Sequence, residues 1–245
     1  NRVRNFDPNY LNPVIFFRPI EYSLGSSDNA MMGLNFSVKA WRTVKFYFQA
    51  VADEFYLKEI KAHKGWWGNK QGVQVGFKYI NAFTVKNLSM QGEFNTVRPY
   101  TYSHGSPQQN YAHFNQPLAH PFGANFYEGV GILSYKMKNW SIDFKAVYAV
   151  IGKDTSGTNS NMGQNIFLSY TTRPYDYNHT IGQGVNTKFL QTDIKLTYCL
   201  IPEMNLRMEL GYIQNNLSND RGFNRQCPFF YFALKSSFHN FYRDY

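Results

Sequence analysis

Residues 190–212 read LQTDIKLTYCLIPEMNLRMELGY, two runs of alternating apolar and polar residues separated by a short polar joint. In the first run Leu190, Ile194 and Leu196 alternate with polar residues. Successive side chains of a strand point to opposite sides, so this period of two indicates a strand with one apolar and one polar face. Pro202 and Glu203 interrupt the pattern as a turn between strands does. The stretch therefore predicts an antiparallel β-hairpin.

The same period recurs along the chain. It predicts nine strands, near residues 31–40, 44–54, 72–80, 86–97, 126–137, 140–151, 189–200, 205–214 and 229–242, with residues 14–20 as a candidate tenth. Short joints alternate with long loops rich in Gly, Asn and Pro at residues 54–71, 97–124, 152–187 and 215–228. Strands of about 9–11 residues with this alternation of connections are typical of outer-membrane barrels. The sequence predicts an all-β chain in a single segment 1–245, a transmembrane antiparallel up-and-down outer-membrane β-barrel whose short turns and C-terminus are periplasmic.

The composition excludes other classes of protein. The chain has 245 residues, of which 18% are aromatic and only 17% charged, against roughly 25% charged in average domains. No apolar run reaches the ~18–20 residues that a spanning helix needs, which excludes a helical membrane protein. The net charge is +9, but Lys and Arg form no run of five, so we expect no binding of nucleic acid.

Many charged residues of the predicted strands occupy the polar positions of the alternating pattern, which lie together on one face of each strand. A charge facing lipid at the bilayer midplane costs ~2–4 kcal/mol, so these side chains are expected to face the lumen. They are Lys39, Lys45, Lys78, Glu93, Asp143, Lys145, Asp193, Lys195, Arg207, Glu209 and Lys235. Two interpretations remain: a polar network of self-paired charges, which the interleaved signs favour, or a selective channel.

The two cysteines give a separate expectation. Cys199 is predicted at the periplasmic end of its strand and Cys227 in the outer loop 215–228. An apolar band ~25 Å tall would separate these levels, whereas a disulfide needs Cα atoms within ~7 Å. Two free thiols are expected.

The predicted external loops carry the candidate binding residues. Aromatic faces stack on sugar rings, and amide and imidazole groups hydrogen-bond to hydroxyls. The candidates are Lys64, Trp66, Trp67, Arg98, Tyr100, Tyr102, His104, His113, Asn115, Gln116 and His120. The alternative is that these loops fold inward and satisfy their polar groups internally.

Neither a metal site nor a catalytic site is predicted. His104, His113 and His120 lack the close spacing of metal ligands. Ser103 and His104 are adjacent and would point to opposite faces of an extended chain. We therefore expect a non-enzymatic protein without cofactors.

Four loop segments carry longer signatures: residues 52–70, 91–104, 111–125 and 165–184, with sequences such as KGWWGNK at 64–70 and QGEFNTVRPYTYSH at 91–104. Together they resemble the Wzi-type capsule-assembly outer-membrane family, in particular its Bacteroidota, RemB-like branch associated with gliding motility. The resemblance implies a bacterial outer-membrane barrel of about 18 strands, of which this chain would hold the second half. The ending FHNFYRDY at 238–245 also resembles the C-terminal insertion signal of such barrels.

These observations define three functional hypotheses. The first is a barrel involved in assembly or attachment of surface polysaccharide (capsule), binding glycan through its outer loops. The second is a scaffold subunit of a cell-surface gliding, adhesion or secretion complex, and the third is a passive pore. The expected partners are outer-membrane lipids and lipopolysaccharide, acidic surface polysaccharide, and other outer-membrane or surface proteins.

Overall fold

The computed structural model describes residues 31–156 and 160–236. Nine long strands form one sheet, and two two-residue strands form a small hairpin. In chain order the elements are β1 (Met32–Ala40), β2 (Val44–Glu54), α1 (Leu57–Ala62), β3 (Lys70–Ile80), β4 (Leu88–Val97), β5 (Ala112–His113), β6 (Gln116–Pro117), β7 (Phe126–Met137), β8 (Trp140–Lys153), β9 (Val185–Ile201), β10 (Leu206–Asn219) and β11 (Asn224–Lys235).

Each long strand pairs with the next one along the chain, always antiparallel, in the order β1-β2-β3-β4-β7-β8-β9-β10-β11. Within the described residues β1 and β11 are the two edges of this sheet. The all-β fold and the up-and-down antiparallel order are as predicted. Closure into a barrel stays a prediction, and residues 14–20 and 238–245 lie outside the described part. No helix in the described ranges has the length and apolar character to span a membrane.

The prediction of a long loop at residues 215–228 is wrong. β10 continues to Asn219 and β11 begins at Asn224, so the connection is only four residues long. Apart from Leu217, β10 is polar on both faces here, so the sequence shows no alternation, but the two strands stay paired, with Asn215 opposite Cys227. The Asn219 side chain accepts hydrogen bonds from the Arg221 and Phe223 amides, at 3.0 and 2.9 Å, and closes the turn.

The cysteines both carry free thiols. Cys227 lies within β11 and not in a loop, which corrects its predicted position. Cys199 pairs with Arg207, and Arg207 pairs with Lys235, eight positions along β11 from Cys227. At about 3.3 Å per residue this offset is roughly 26 Å, far beyond disulfide reach.

The sheet has one apolar and one polar face. Large apolar side chains on the first face are exposed, among them Leu34, Phe36, Phe46, Val75, Phe77, Phe94, Leu133, Ile142, Phe144, Leu190, Ile194, Leu196, Leu210, Phe230, Phe232 and Leu234. The registers put Lys45, Lys78, Glu93, Asp143, Lys145, Asp193, Lys195, Arg207, Glu209 and Lys235 together on the other face.

Charge pairing on the polar face is uneven. Across β8–β11 opposite charges meet: Lys195 contacts Asp143 at 3.3 Å, and Glu209 contacts both Arg207 and Lys235. This half matches the expected self-paired network. Across β1–β3 it does not, because Lys45 lies opposite Lys78.

Long connections pack over the polar face at one end of the strands. Val97, Phe126 and Ile151 occupy one register row there. Together with Tyr102 and Ile166 from the loops they form a buried apolar cluster. The otherwise polar face of the sheet therefore carries apolar side chains where the loops cover it. Burying them stabilises the fold by roughly 25 cal/mol per Å² of apolar area removed from water.

Candidate functional site

Three connections meet at this end of the sheet, which we call the loop end; their described parts are residues 55–69, 98–125, and 154–156 with 160–184. Backbone hydrogen bonds join them: Trp67 N–H donates to the Asp176 carbonyl at 3.0 Å, and Tyr100 N–H donates to the Gly163 carbonyl at 2.9 Å. The His179 amide likewise donates to the Gly65 carbonyl at 2.9 Å. The three loops therefore form one packed unit that fixes the side chains between them.

Three of the candidate residues lie inside this unit. Tyr100 is fully buried and its hydroxyl donates to the Asn161 carbonyl at 2.8 Å. Tyr102 and His104 are also buried, and burial raises the pKa of Tyr102 to about 12. These rings hold the loops together, as the inward-folding alternative describes, and they are not placed to contact a ligand.

A buried ionic network joins the loops to β2 and β3. His104 Nε2 lies 3.2 Å from Asp53 Oδ1, and Asp53 Oδ2 accepts the Tyr102 amide at 3.1 Å. Lys70 Nζ contacts Glu54 at 3.0 Å and donates to the Ser103 carbonyl at 2.8 Å. Buried charges are tolerated when they are paired and hydrogen-bonded in this way. The network is structural support for the site.

The paired tryptophans are part of the same packing. The ring of Trp67 lies 4.6 Å from that of Tyr170, and the Arg173 guanidinium lies 4.1 Å from the Trp67 centroid. Trp66 packs edge-on against Tyr56 with centroids 6.3 Å apart. Both tryptophans are half-buried, so only part of each ring is available as a stacking surface.

A cleft of about 540 Å³ opens at the loop end and is lined in part by Gly65 and Thr180, within the ~300–1,000 Å³ range of ligand sites. Lys64 and Arg98 line it, as do His63, Asn178 and His179, with Glu59 as an acid. Of the candidate residues, only Lys64 and Arg98 come together here. We call it the basic cleft.

Arg98 is the residue of the basic cleft whose contacts best indicate the kind of ligand that the cleft could bind. Its Nε donates to the Asn69 carbonyl at 2.8 Å and its Nη2 to the Trp66 carbonyl at 3.4 Å. Desolvation by burial lowers its pKa, and no carboxylate lies within ion-pair distance of it in the described ranges. A partly buried cation held only by carbonyls is suited to an anionic ligand.

His179 also lines the basic cleft. Its Nε2 donates to the Tyr175 carbonyl at 2.9 Å and its Nδ1 accepts from Gln183 at 2.9 Å. Desolvation lowers its pKa from the ordinary 6.5, which keeps the ring neutral at pH 7. Sequence reasoning missed His63, Asn178 and His179, because they reach the cleft only through long-range packing. In the sequence, the only indication of these residues is the presence of histidines in long loops.

The remaining candidates lie elsewhere. His113 and Gln116 pair in the β5–β6 hairpin and are exposed, as is Asn115 at its tip. His120 lies 3.2 Å from Glu128 and stacks on Phe126, with centroids 4.4 Å apart, beside a second cavity of about 260 Å³ on the polar face. The predicted loop site is therefore divided among a packed interior, the basic cleft, the exposed hairpin and this cavity.

The described residues contain no group of three or more side chains suited to hold a metal ion. Comparison with protein-family models, with curated proteins and with solved structures finds no match to this chain.

Proposed function

We propose that this chain is a section of a bacterial outer-membrane β-barrel that binds acidic surface polysaccharide in the basic cleft and has no enzymatic activity. The observation that carries the proposal is the coexistence of two features on one sheet. One face is apolar and exposed along its whole width, and one end carries a polar, basic cleft held by packed loops.

The exposed apolar face supports the membrane part of the proposal. Soluble monomers rarely expose contiguous apolar patches above a few hundred Å². Here, however, Phe36 and Phe232, near opposite edges of the sheet, are 60% and 69% exposed. Lipid chains would cover such a face, while the charged face would line a lumen.

The chemistry of the basic cleft supports the polysaccharide part. A guanidinium and an ammonium bind carboxylate or phosphate groups of acidic glycans. Asn178, which lines the cleft, supplies a side-chain amide for sugar hydroxyls. The resemblance of the loop motifs to Wzi-type proteins agrees with this assignment.

Binding of the full-length protein to an acidic and to a neutral polysaccharide tests the cleft. Arg98→Gln and Lys64→Gln are each expected to weaken acidic-glycan binding about 10-fold or more, since a charge-assisted hydrogen bond contributes about 1.5–3 kcal/mol. Lys61→Gln is the matched control, because Lys61 is exposed in α1 and does not line the cleft. Equal binding of the acidic polysaccharide by all variants would show that the basic cleft is not its binding site.

Membrane fractionation tests the barrel independently. The protein is expected in the outer-membrane fraction, with the loop end cleaved by protease added to intact cells. Recovery in the soluble fraction would refute the membrane assignment, whatever the glycan result.

The exposed hairpin favours a second function, that of a scaffold subunit. Phe114 at its tip is 88% exposed and, like Asn115, has a positive φ, 46° and 58°. An exposed ring on a two-residue turn with left-handed backbone is an unfavourable arrangement unless a partner uses it. Copurification of a stoichiometric surface protein that is lost in Phe114→Asn would support this function.

A further inference from the structure

The polar face carries a row of three lysines near the short turns, at the end opposite the loop end. Lys39 pairs with Lys45 across β1 and β2, and Lys45 pairs with Lys78 across β2 and β3. All three are exposed. We call this row the lysine ladder.

The lysine ladder is electrostatically unfavourable by itself. Directly opposite residues have Cβ atoms about 4.5–5.5 Å apart, and like charges in such pairs are destabilising by a few tenths to about 1 kcal/mol. Elsewhere on the same face the lysines are matched: Lys145 lies opposite Asp193, and Lys195 contacts Asp143. Arg207 also lies opposite Lys235, but Glu209 contacts both of them. Among the described strands, the β1–β3 part of the face sets cation against cation without such an acid.

No acid of the described sheet neutralises the ladder. The nearest carboxylate row contains Glu93, opposite Gly76 and two positions from Gln91, the residue that pairs with Lys78. Glu93 Oε2 already accepts the Tyr47 hydroxyl at 2.6 Å, and its Oε1 accepts Asn95 Nδ2 at 2.9 Å. Within residues 31–156 and 160–236 the ladder ammonium groups form no ion pair.

We propose that the lysine ladder binds a multivalent oxyanion bearing phosphoryl groups. Each ammonium supplies three donors and no acceptor. Strand spacing of about 4.8 Å puts the outer two Cα atoms roughly 10 Å apart, so the long stems can direct all three ammonium groups at one anion. The inference uses only the sheet and does not rest on the basic cleft.

The test measures the thermal stability of the full chain, folded in detergent at low ionic strength, against inorganic pyrophosphate and, separately, against micelles containing phosphatidylglycerol. We expect stabilisation by at least one of the two, and the responding arm identifies a free or a lipid-borne phosphoryl group. Lys45→Gln is expected to reduce the affinity about 5- to 10-fold, and Lys45→Arg to preserve it. Lys145→Gln is the matched control and should bind as the wild type does.

Without added anion the signs of the stability changes differ. Lys45→Gln removes repulsion and should raise Tm, whereas Lys145→Gln removes attraction to Asp193 and should lower it. Stabilisation that is equal in wild type and Lys45→Gln, or absent in both arms, would overturn the proposal. So would a lower Tm for Lys45→Gln in the absence of anion.

Discussion

Asn125 is the residue whose replacement tests the architecture of the loop end most directly. It is fully buried just before β7, and its Nδ2 donates to the Gly152 carbonyl at 2.6 Å and to the Gln183 carbonyl at 3.0 Å. Its Oδ1 accepts the Gly182 amide at 2.8 Å. One side chain thus connects three segments distant in sequence, and its removal should loosen all of them.

The expected loss of stability can be calculated from these hydrogen bonds. Each contributes about 1 kcal/mol net, and an orphaned buried partner costs about 1–3 kcal/mol, so Asn125→Ala should destabilise the closed loops by at least about 3 kcal/mol. Asn125 also has a φ of 58°, which adds roughly 1 kcal/mol for alanine and almost nothing for glycine. Asn125→Gly therefore isolates the hydrogen-bond contribution.

Native-state hydrogen exchange of the Gly182 amide provides the assay. Since 1.4 kcal/mol corresponds to a factor of ten, Asn125→Gly should accelerate exchange about 100-fold, and Asn125→Ala several-fold more. Amides in the centre of β9 should exchange as in the wild type. If Gly182 exchanges at the wild-type rate in both variants, the loops are held by apolar packing and the reasoning from hydrogen bonds is wrong.

Three further predictions follow from single features of the structure. Because burial lowers the pKa of His179, the unfolded chain binds the proton more readily, so loop stability should be complete above about pH 6.5 and fall below it; the protection factor of the His179 amide, which is bonded to Gly65, that is its exchange rate corrected for the intrinsic rate at each pH, should fall there in wild type but not in His179→Gln. Phe114→Asn should stabilise the hairpin by about 1 kcal/mol in a denaturant titration, since asparagine tolerates the positive φ, and unchanged stability would contradict this. The Tyr47 ring lies over Gly76, where a Cβ would collide with it, so Gly76→Ala should lower the free energy of unfolding by about 1–3 kcal/mol; a neutral effect would mean that the ring moves freely.

The strands were predictable because one face of each is apolar and the other polar, so apolar and polar residues alternate along the sequence of each strand. A strand is present at each of the nine predicted positions, although β11 ends at Lys235 and residues 237–242 of the last predicted strand lie outside the described part. The joint at Pro202 lies where the pattern breaks. The alternation was not detectable at residues 215–228, where most residues on both faces are polar, although β10 and β11 stay paired there. Local helix α1 and the β5–β6 hairpin were missed because each is too short to show a period.

The candidate site was predictable only in part, since residue type indicates chemistry but not direction. Lys64 and Arg98 do line the basic cleft. Tyr100 and His104 have the same sugar-binding character but are buried among the loops. The difference arises from long-range contacts such as Asp53 with His104, which no spacing in the sequence reveals.

The two unpaired cationic sets, the basic cleft and the lysine ladder, lie at opposite ends of the sheet and should act independently. Arg98 follows the last residue of β4, and Lys78 pairs with Gln91, six positions before that end. At about 3.3 Å per residue the separation is roughly 20 Å, about two Debye lengths at physiological ionic strength. Effects of Arg98→Gln and Lys45→Gln on stability should therefore add within about 0.5 kcal/mol. Part of the net charge of +9 is thus carried by strands, at two places where binding of a ligand to one need not alter the other.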